Sequence, residues 1–313
     1  MKTISESTKV TLTIGQIKRL IAETMQPIDE TGLALGGKIY PPSDNVLILA
    51  GGAGSGKGLV RNKVLFFDGK VFDVDDLKAL TINYGKFRPN DPLAVDFKDR
   101  FGYSLADVDL KNPQHVSDVH EFVELKDFSA KRTKAFFKGL KDNTAMQKPN
   151  VIFDVTMKDL KKFKKCCKTA LDAGYDKKNI HLVWVVNSFA QAIANNASRD
   201  RSVSQNILFD THTGVAMTMN DIIGYTKHIY LNSWLDGDVW IVFAKNGDDI
   251  IFKKSELVDD PDDSKVPKVL EDFTAYQLKK QGEPMKPYKY VEDWVKHKLA
   301  QYLPHKVKYM FKQ

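Results

Sequence analysis

The stretch NVLILAGGAGSGKGLVRNKV, residues 45–64, decides how the chain is read. Val46 to Ala50 form a continuous apolar run of the kind buried on both faces of a parallel sheet. The glycines that follow allow the backbone to curl, so that successive amides turn inward around anionic oxygens. The start of the next helix adds its positive end, and Lys57 completes G-x-x-x-x-G-K between a strand and a helix. Gly52, Ala53, Gly54, Ser55, Gly56, Lys57 and Gly58 are the expected nucleotide contacts. Position 58 is glycine where most such loops place the serine or threonine that binds magnesium, so a metal must be held by carboxylates and water.

Working outward, KVFDV (70–74) reads as a second strand, and DDLKAL begins a helix with acidic residues in its favourable first turn. NVIFDV (150–155) and IHLVWVV (180–186) are further buried strands. Between the last two, Leu160, Phe163, Cys167, Ala170 and Leu171 lie at helical spacing, closed by Gly174. Ser188 is expected to cap a helix over FAQAIANNA. Alternating strands and helices predict an α/β fold with a doubly wound, mostly parallel sheet of the P-loop NTPase type. Residues 81–149, polar and dotted with proline, read as a helical insertion. Asn246-Gly247 signals a hairpin, and a stripe of Tyr290, Val291, Trp294, Val295 and Leu299 predicts a C-terminal helix. The expected organisation is an N-terminal helical extension over 1–44, a core over 45–253, and a basic C-terminal region over 254–313; the extension carries a predicted helix at 13–25.

Ligands of such sheets gather at the carboxyl ends of the strands. There Asp73, Asp75 and Asp76 end one strand, and Asp154 ends another in the manner of a Walker B acid. Transfer of a phosphoryl group needs a carboxylate to take the proton of the attacking hydroxyl and carboxylates to hold Mg²⁺. Asp75 is the expected base, and Asp75 and Asp154 are the expected metal ligands. Thr156, Thr211, His212 and Thr213 lie beside these elements as possible substrate contacts, more simply read as turn or cap residues.

Composition sets bounds on all of this. The chain has 313 residues, 42% hydrophobic and 28% charged, with net charge +7 and pI near 9.0. That balance favours an anionic partner, which a nucleotide, a nucleotide sugar or a nucleic acid all satisfy. No apolar run approaches the length of a membrane helix, and the N-terminus lacks a signal-peptide pattern, so a soluble, cytoplasmic protein is expected. The two cysteines, Cys166 and Cys167, are adjacent and read as packing residues. No zinc-binding or Ser/His/Asp pattern stands out.

The arrangement as a whole resembles the zeta toxin family of P-loop kinases, with polynucleotide kinases as relatives. The resemblance rests on GGAGSGKG, VFDVDDLK, NVIFDVTMKDLKKF, DAGYDKKNIHLVWVV and ASRDRSVSQNILFDTHTG, spread over roughly residues 45 to 250. GGxGSGKG is also similar to the loop of the adenylate kinases, where glycine follows the lysine in active enzymes. FDVTMKD stands where the D-G-[FY]-P-R stretch of that family would fall. The zeta toxin resemblance implies that Lys57 binds ATP phosphates, that Asp75 is the base, and that Arg199 and Arg201 stabilise the transferring group. It implies ATP and Mg²⁺ as cofactors and a hydroxyl acceptor: a nucleotide, a nucleotide sugar or a nucleic-acid end. Two other readings stand beside it: a nucleotide-binding or structural protein without catalysis, and a nucleic-acid-binding module built on the basic, tyrosine-bearing C-terminus.

Overall fold

The computed structural model describes residues 10–12, 34–35, 38–39, 44–63, 69–142, 147–198, 203–223, 231, 233–244 and 273–311. Its centre is β4 (Val46–Ala50), buried along its whole length and paired in parallel with β6 (Val151–Val155) on one side and β7 (Ile180–Val186) on the other. β5 (Lys70–Phe72) extends the parallel set beyond β6, and β8 (Val239–Ala244) extends it beyond β7. β9 (Phe273–Lys279) then joins β8 antiparallel, and β1 (Val10–Leu12) joins β9 antiparallel. The strand order is β1-β9-β8-β7-β4-β6-β5, with β2 (Ala34–Leu35) and β3 (Lys38–Ile39) forming a separate two-stranded pair. The chain thus adopts the α/β, doubly wound, mostly parallel sheet expected of it.

Both faces of the sheet are covered. Val46, Ile48 and Trp184 belong to the larger core, while Leu47, Leu49 and Val183 belong to the core on the opposite face. That explains why these strands read as unbroken apolar runs instead of alternating patterns. The helices follow: α1 (Lys57–Lys63) after β4, α2 (Val74–Phe87) after β5, and α3 (Pro92–Phe101), α4 (Pro113–Leu125) and α5 (Phe128–Asp142) before β6. After β6 come α6 (Leu160–Asp172), then, past β7, α7 (Phe189–Ala197) and α8 (Gln205–Ile223); α9 (Asp293–Tyr302) lies near the C-terminus. The expected helical insertion is α3 to α5 with the end of α2. It has a core of its own, in which Phe97 packs edge-on against Phe122 at 5.2 Å and Tyr103 at 5.4 Å.

Several local expectations can be placed. Gly174 has φ +82 just past α6, as a helix stop requires. Ser188 occupies the cap position of α7, yet its side chain makes no cap bond; its N–H is bonded by Asn187 Oδ1 instead, at 2.8 Å. The C-terminal stretch supplies a strand, β9, as well as α9. Within the expected C-terminal stripe, Val291, Val295 and Leu299 are buried and Trp294 packs on the core, but Tyr290 precedes the helix and is exposed. The predicted helix at 13–25, the turn at 246–247, and Arg199 and Arg201 lie outside the described residues. No helix among the described residues is long and apolar enough to cross a membrane.

Candidate active site

The loop between β4 and α1 sits at the carboxyl edge of the central strand, which lies between β6 and β7. Its shape depends on glycine at specific points. Gly54 and Gly56 adopt φ +72 and +90, which side-chain-bearing residues avoid. A Cβ at position 52 would stand 2.3 Å from the His212 ring, and one at 54 would stand 2.6 Å from the Ala192 carbonyl. Gly58 differs: a Cβ there would meet nothing within 4 Å.

Two helices hold the loop from the side. The Ala53 N–H donates to Thr211 Oγ1 at 3.1 Å, and the Ala53 carbonyl lies 2.7 Å from His212 Nε2. A carbonyl can only accept, so Nε2 carries the proton. Burial holds the His212 pKa below the ordinary histidine value, which keeps the ring neutral at physiological pH. Asn195 of α7 donates its amide to the Gly54 carbonyl at 3.1 Å. Thr211 and His212 thus bind the loop's own backbone. Thr213 is buried on α8, and Gly214 lets that helix approach Lys158, whose Cβ would be 2.6 Å from an added Cβ.

Lys57, the first residue of α1, bends back over the loop. Its Nζ donates to the Gly51 carbonyl at 2.9 Å and lies 3.9 Å from Asp154 Oδ1 on the neighbouring strand. Arg61, one turn further along α1, brings Nη1 to 3.4 Å from Asp154 Oδ2. Leu49 of β4 pairs in register with Asp154 of β6, so the sheet itself sets the acid beside the loop. Burial raises the Asp154 pKa, Lys57 and Arg61 pull it down, and Asp75 and Asp76 push it up; the net direction is upward.

The third group stands where β5 passes into α2. Asp73 caps the helix, its Oδ1 accepting the Asp75 N–H at 2.8 Å. Burial, with the charge of Asp75 next, pushes the Asp73 carboxyl up to about 6. Asp75 lies in the first turn and pairs with Lys78 at 3.2 Å; its side chain is 40% exposed against 10% for Lys78, so it is the Asp75 carboxylate that meets solvent. His120 of α4, bonded to Glu124 at 3.4 Å, has its pKa lowered by burial and by Lys78, with Asp75 acting the other way. The insertion therefore reaches the acidic end of the site.

The loop, Lys57, Asp75 and Asp154 converge at one edge of the sheet. Sequence reasoning missed Arg61, Lys78, Asn195 and the loop-holding role of Thr211 and His212. One of these left a local signal: Lys78 follows Asp75 by three positions, so the two share a helix face. Among the described residues no group of three or more His, Cys, Asp or Glu side chains is gathered for a metal ion. Magnesium in phosphate chemistry needs less, since one or two carboxylates with substrate oxygens and water suffice.

No protein-family model matches the chain, and no curated protein matches it. Among solved structures, a chain from the PezAT chromosomal toxin-antitoxin system of Streptococcus pneumoniae is similar at 13% identity, with a TM-score of 0.41, over 77% of this chain and 77% of that one.

Proposed function

We propose that the protein is an ATP-dependent phosphotransferase that moves the γ-phosphoryl group to a hydroxyl acceptor. The observation that carries this reading is the 3.9 Å approach of Lys57 Nζ to Asp154 beside a glycine loop that opens a helix. The loop amides and Lys57 hold the outer phosphates of ATP. Asp75, the more exposed member of its ion pair, takes the proton of the acceptor hydroxyl. The acceptor oxygen then bonds to the γ-phosphorus as the bond to the β–γ bridging oxygen breaks, leaving ADP. Asp154 and Asp75 would hold Mg²⁺, directly or through water, and the ion when bound supplies charge neutralisation to the phosphates. Arg199 and Arg201 are proposed to add positive charge to the transferring group. The segment bearing them runs between α7 and α8, the two helices that grip the loop, and its flanks are tied where Asn196 bonds both the N–H and the carbonyl of Val203 at 2.9 and 2.8 Å.

A second reading, nucleotide binding without transfer, draws on the pairing of every acid in question with a cation: Asp154 with Lys57 and Arg61, Asp75 with Lys78. Incubation with γ-labelled ATP, Mg²⁺ and separate panels of nucleosides, UDP-sugars and 5′-hydroxyl oligonucleotides separates the two. Label transferred to one class and lost in Asp75→Ala supports the kinase. ATP binding with no transfer to any class supports the second reading.

A further inference from the structure

α5 and α6 lie side by side over the larger core of the sheet and pack on each other. Phe137 of α5 stacks on Phe153 of β6 at 5.8 Å and meets Tyr175, just past α6, edge-on at 6.3 Å. Phe163, Cys166, Cys167 and Ala170 bury the inner face of α6. The outer faces are lysine. Along α5, Lys131, Lys134, Lys138 and Lys141 are exposed at helical spacing, a row about 15 Å long at about 1.5 Å per residue. Lys161, Lys165 and Lys168 form a second exposed row on α6. The two helices carry ten lysines and arginines against two aspartates, an excess of eight, in a chain whose net charge is +7. The rest of the chain is therefore close to neutral, and its basic character is concentrated on this one face.

Few of these ammonium groups are neutralised within the fold. Lys168 pairs with Asp172 at 2.8 Å, whereas Lys131, Lys134, Lys138, Lys141, Lys161 and Lys165 enter no ion pair among the described residues. Like charges held a helical turn apart repel, and an anionic partner relieves that repulsion. The kind of partner follows from what else the face presents. No large apolar side chain on α5 or α6 is exposed, so the face has neither the anchors that centre a protein interface nor those that enter a membrane. No aromatic ring on either helix is exposed, and stacking on such rings is how single strands are held. Lysines act on phosphate as point charges, so rows of them meet the regular phosphates of a duplex without reading its bases.

We infer that the face formed by α5 and α6 binds double-stranded nucleic acid through its phosphates, without regard to sequence. This binding is independent of the phosphotransferase reading. The test titrates the full chain against a fluorescent DNA duplex of about 20 base pairs, read by anisotropy over a range of salt concentrations. With about four to six lysines on phosphates, binding should weaken on the order of 10²- to 10³-fold between about 50 and about 200 mM salt, and equally for duplexes of different sequence. Lys134→Gln/Lys138→Gln/Lys165→Gln should flatten the slope of log affinity against log salt by about three. Lys289→Gln/Lys306→Gln/Lys308→Gln, which removes the same charge from the C-terminal stretch, should leave that slope as it is. None of the six side chains is buried, so both variants should melt at the temperature of the parent chain. Absence of duplex binding at low salt, an unchanged slope in the first variant, or equal losses in the two variants overturns the proposal. Tighter binding of a single strand, of phosphatidylserine vesicles or of polyglutamate than of the duplex overturns it too, and assigns the face to that class instead.

Discussion

The two halves of the site are built in different ways. The side proposed to hold phosphate is made of backbone, with glycines at positive φ and loop carbonyls and amides fixed by Thr211, His212 and Asn195. The acidic side is made of side chains, each held by a nearby cation or by a neighbouring amide. A backbone cradle is set in place before ligand arrives and cannot adapt. Carboxylates stored in ion pairs can exchange partners, as the proposed transfer requires of them. The difference predicts rigid, steric consequences for mutations on the first side and charge-dependent, tunable ones on the second.

The sharpest break in that comparison comes from Asp75→Ala. It should lower phosphoryl transfer by on the order of 10²- to 10⁴-fold, the usual worth of a general base, while ATP binding measured by equilibrium titration is retained. Loss of ATP binding instead would make Asp75 part of the phosphate side. Next in size is Gly52→Ala, whose methyl would press on the His212 ring. Overpacking of this kind costs about 1–3 kcal/mol, and thermal melting should show it. The double variant Gly52→Ala/His212→Ala should recover part of the loss, because the clash is removed although one loop bond is gone.

A smaller effect is expected from Arg61→Gln. Without the guanidinium, Asp154 is freer to meet a cation, so the Mg²⁺ concentration for half-maximal transfer should fall a few-fold. A large fall in ATP affinity would instead move Arg61 to the phosphate side. The smallest effect concerns pH. The Asp73 carboxyl titrates near 6 in the folded chain against an ordinary 3.8, so the folded state binds more protons between those values. Stability then declines as pH rises from about 4 to about 6 and stays lower above that. Asp73→Asn keeps an acceptor for the Asp75 amide and removes the charge, so it should raise the melting temperature at pH 7.5 and change it little at pH 4.

The same contrast governs how much the sequence reveals. The loop is legible because glycine at 54 and 56 reports on its own φ, and β4 is legible because burial on two faces leaves an apolar run. Asp73, Asp75 and Asp154 are legible as acids at strand ends. The Arg61 partner of Asp154 is not, because that contact joins residues that only the β4 to β6 pairing brings together. The pair Thr211 and His212 can be seen as polar residues beside the site, but whether they face a ligand or the loop depends on how α8 docks. In the C-terminal stretch, helical spacing overshadowed β9, whose strand character comes from pairing with β8 and not from a strong local pattern.

Gly58 stands apart from the other glycines of the loop. Positions 52 and 54 admit no side chain, whereas 58 faces open space inside the first turn of a helix, a place where glycine costs about 1 kcal/mol relative to alanine. The residue is a vacancy in the design that a serine can fill by a single substitution. Under the proposed phosphotransfer that one step would change how a divalent metal is held, and Gly58→Ser asks in one experiment whether the loop relies on doing without that hydroxyl.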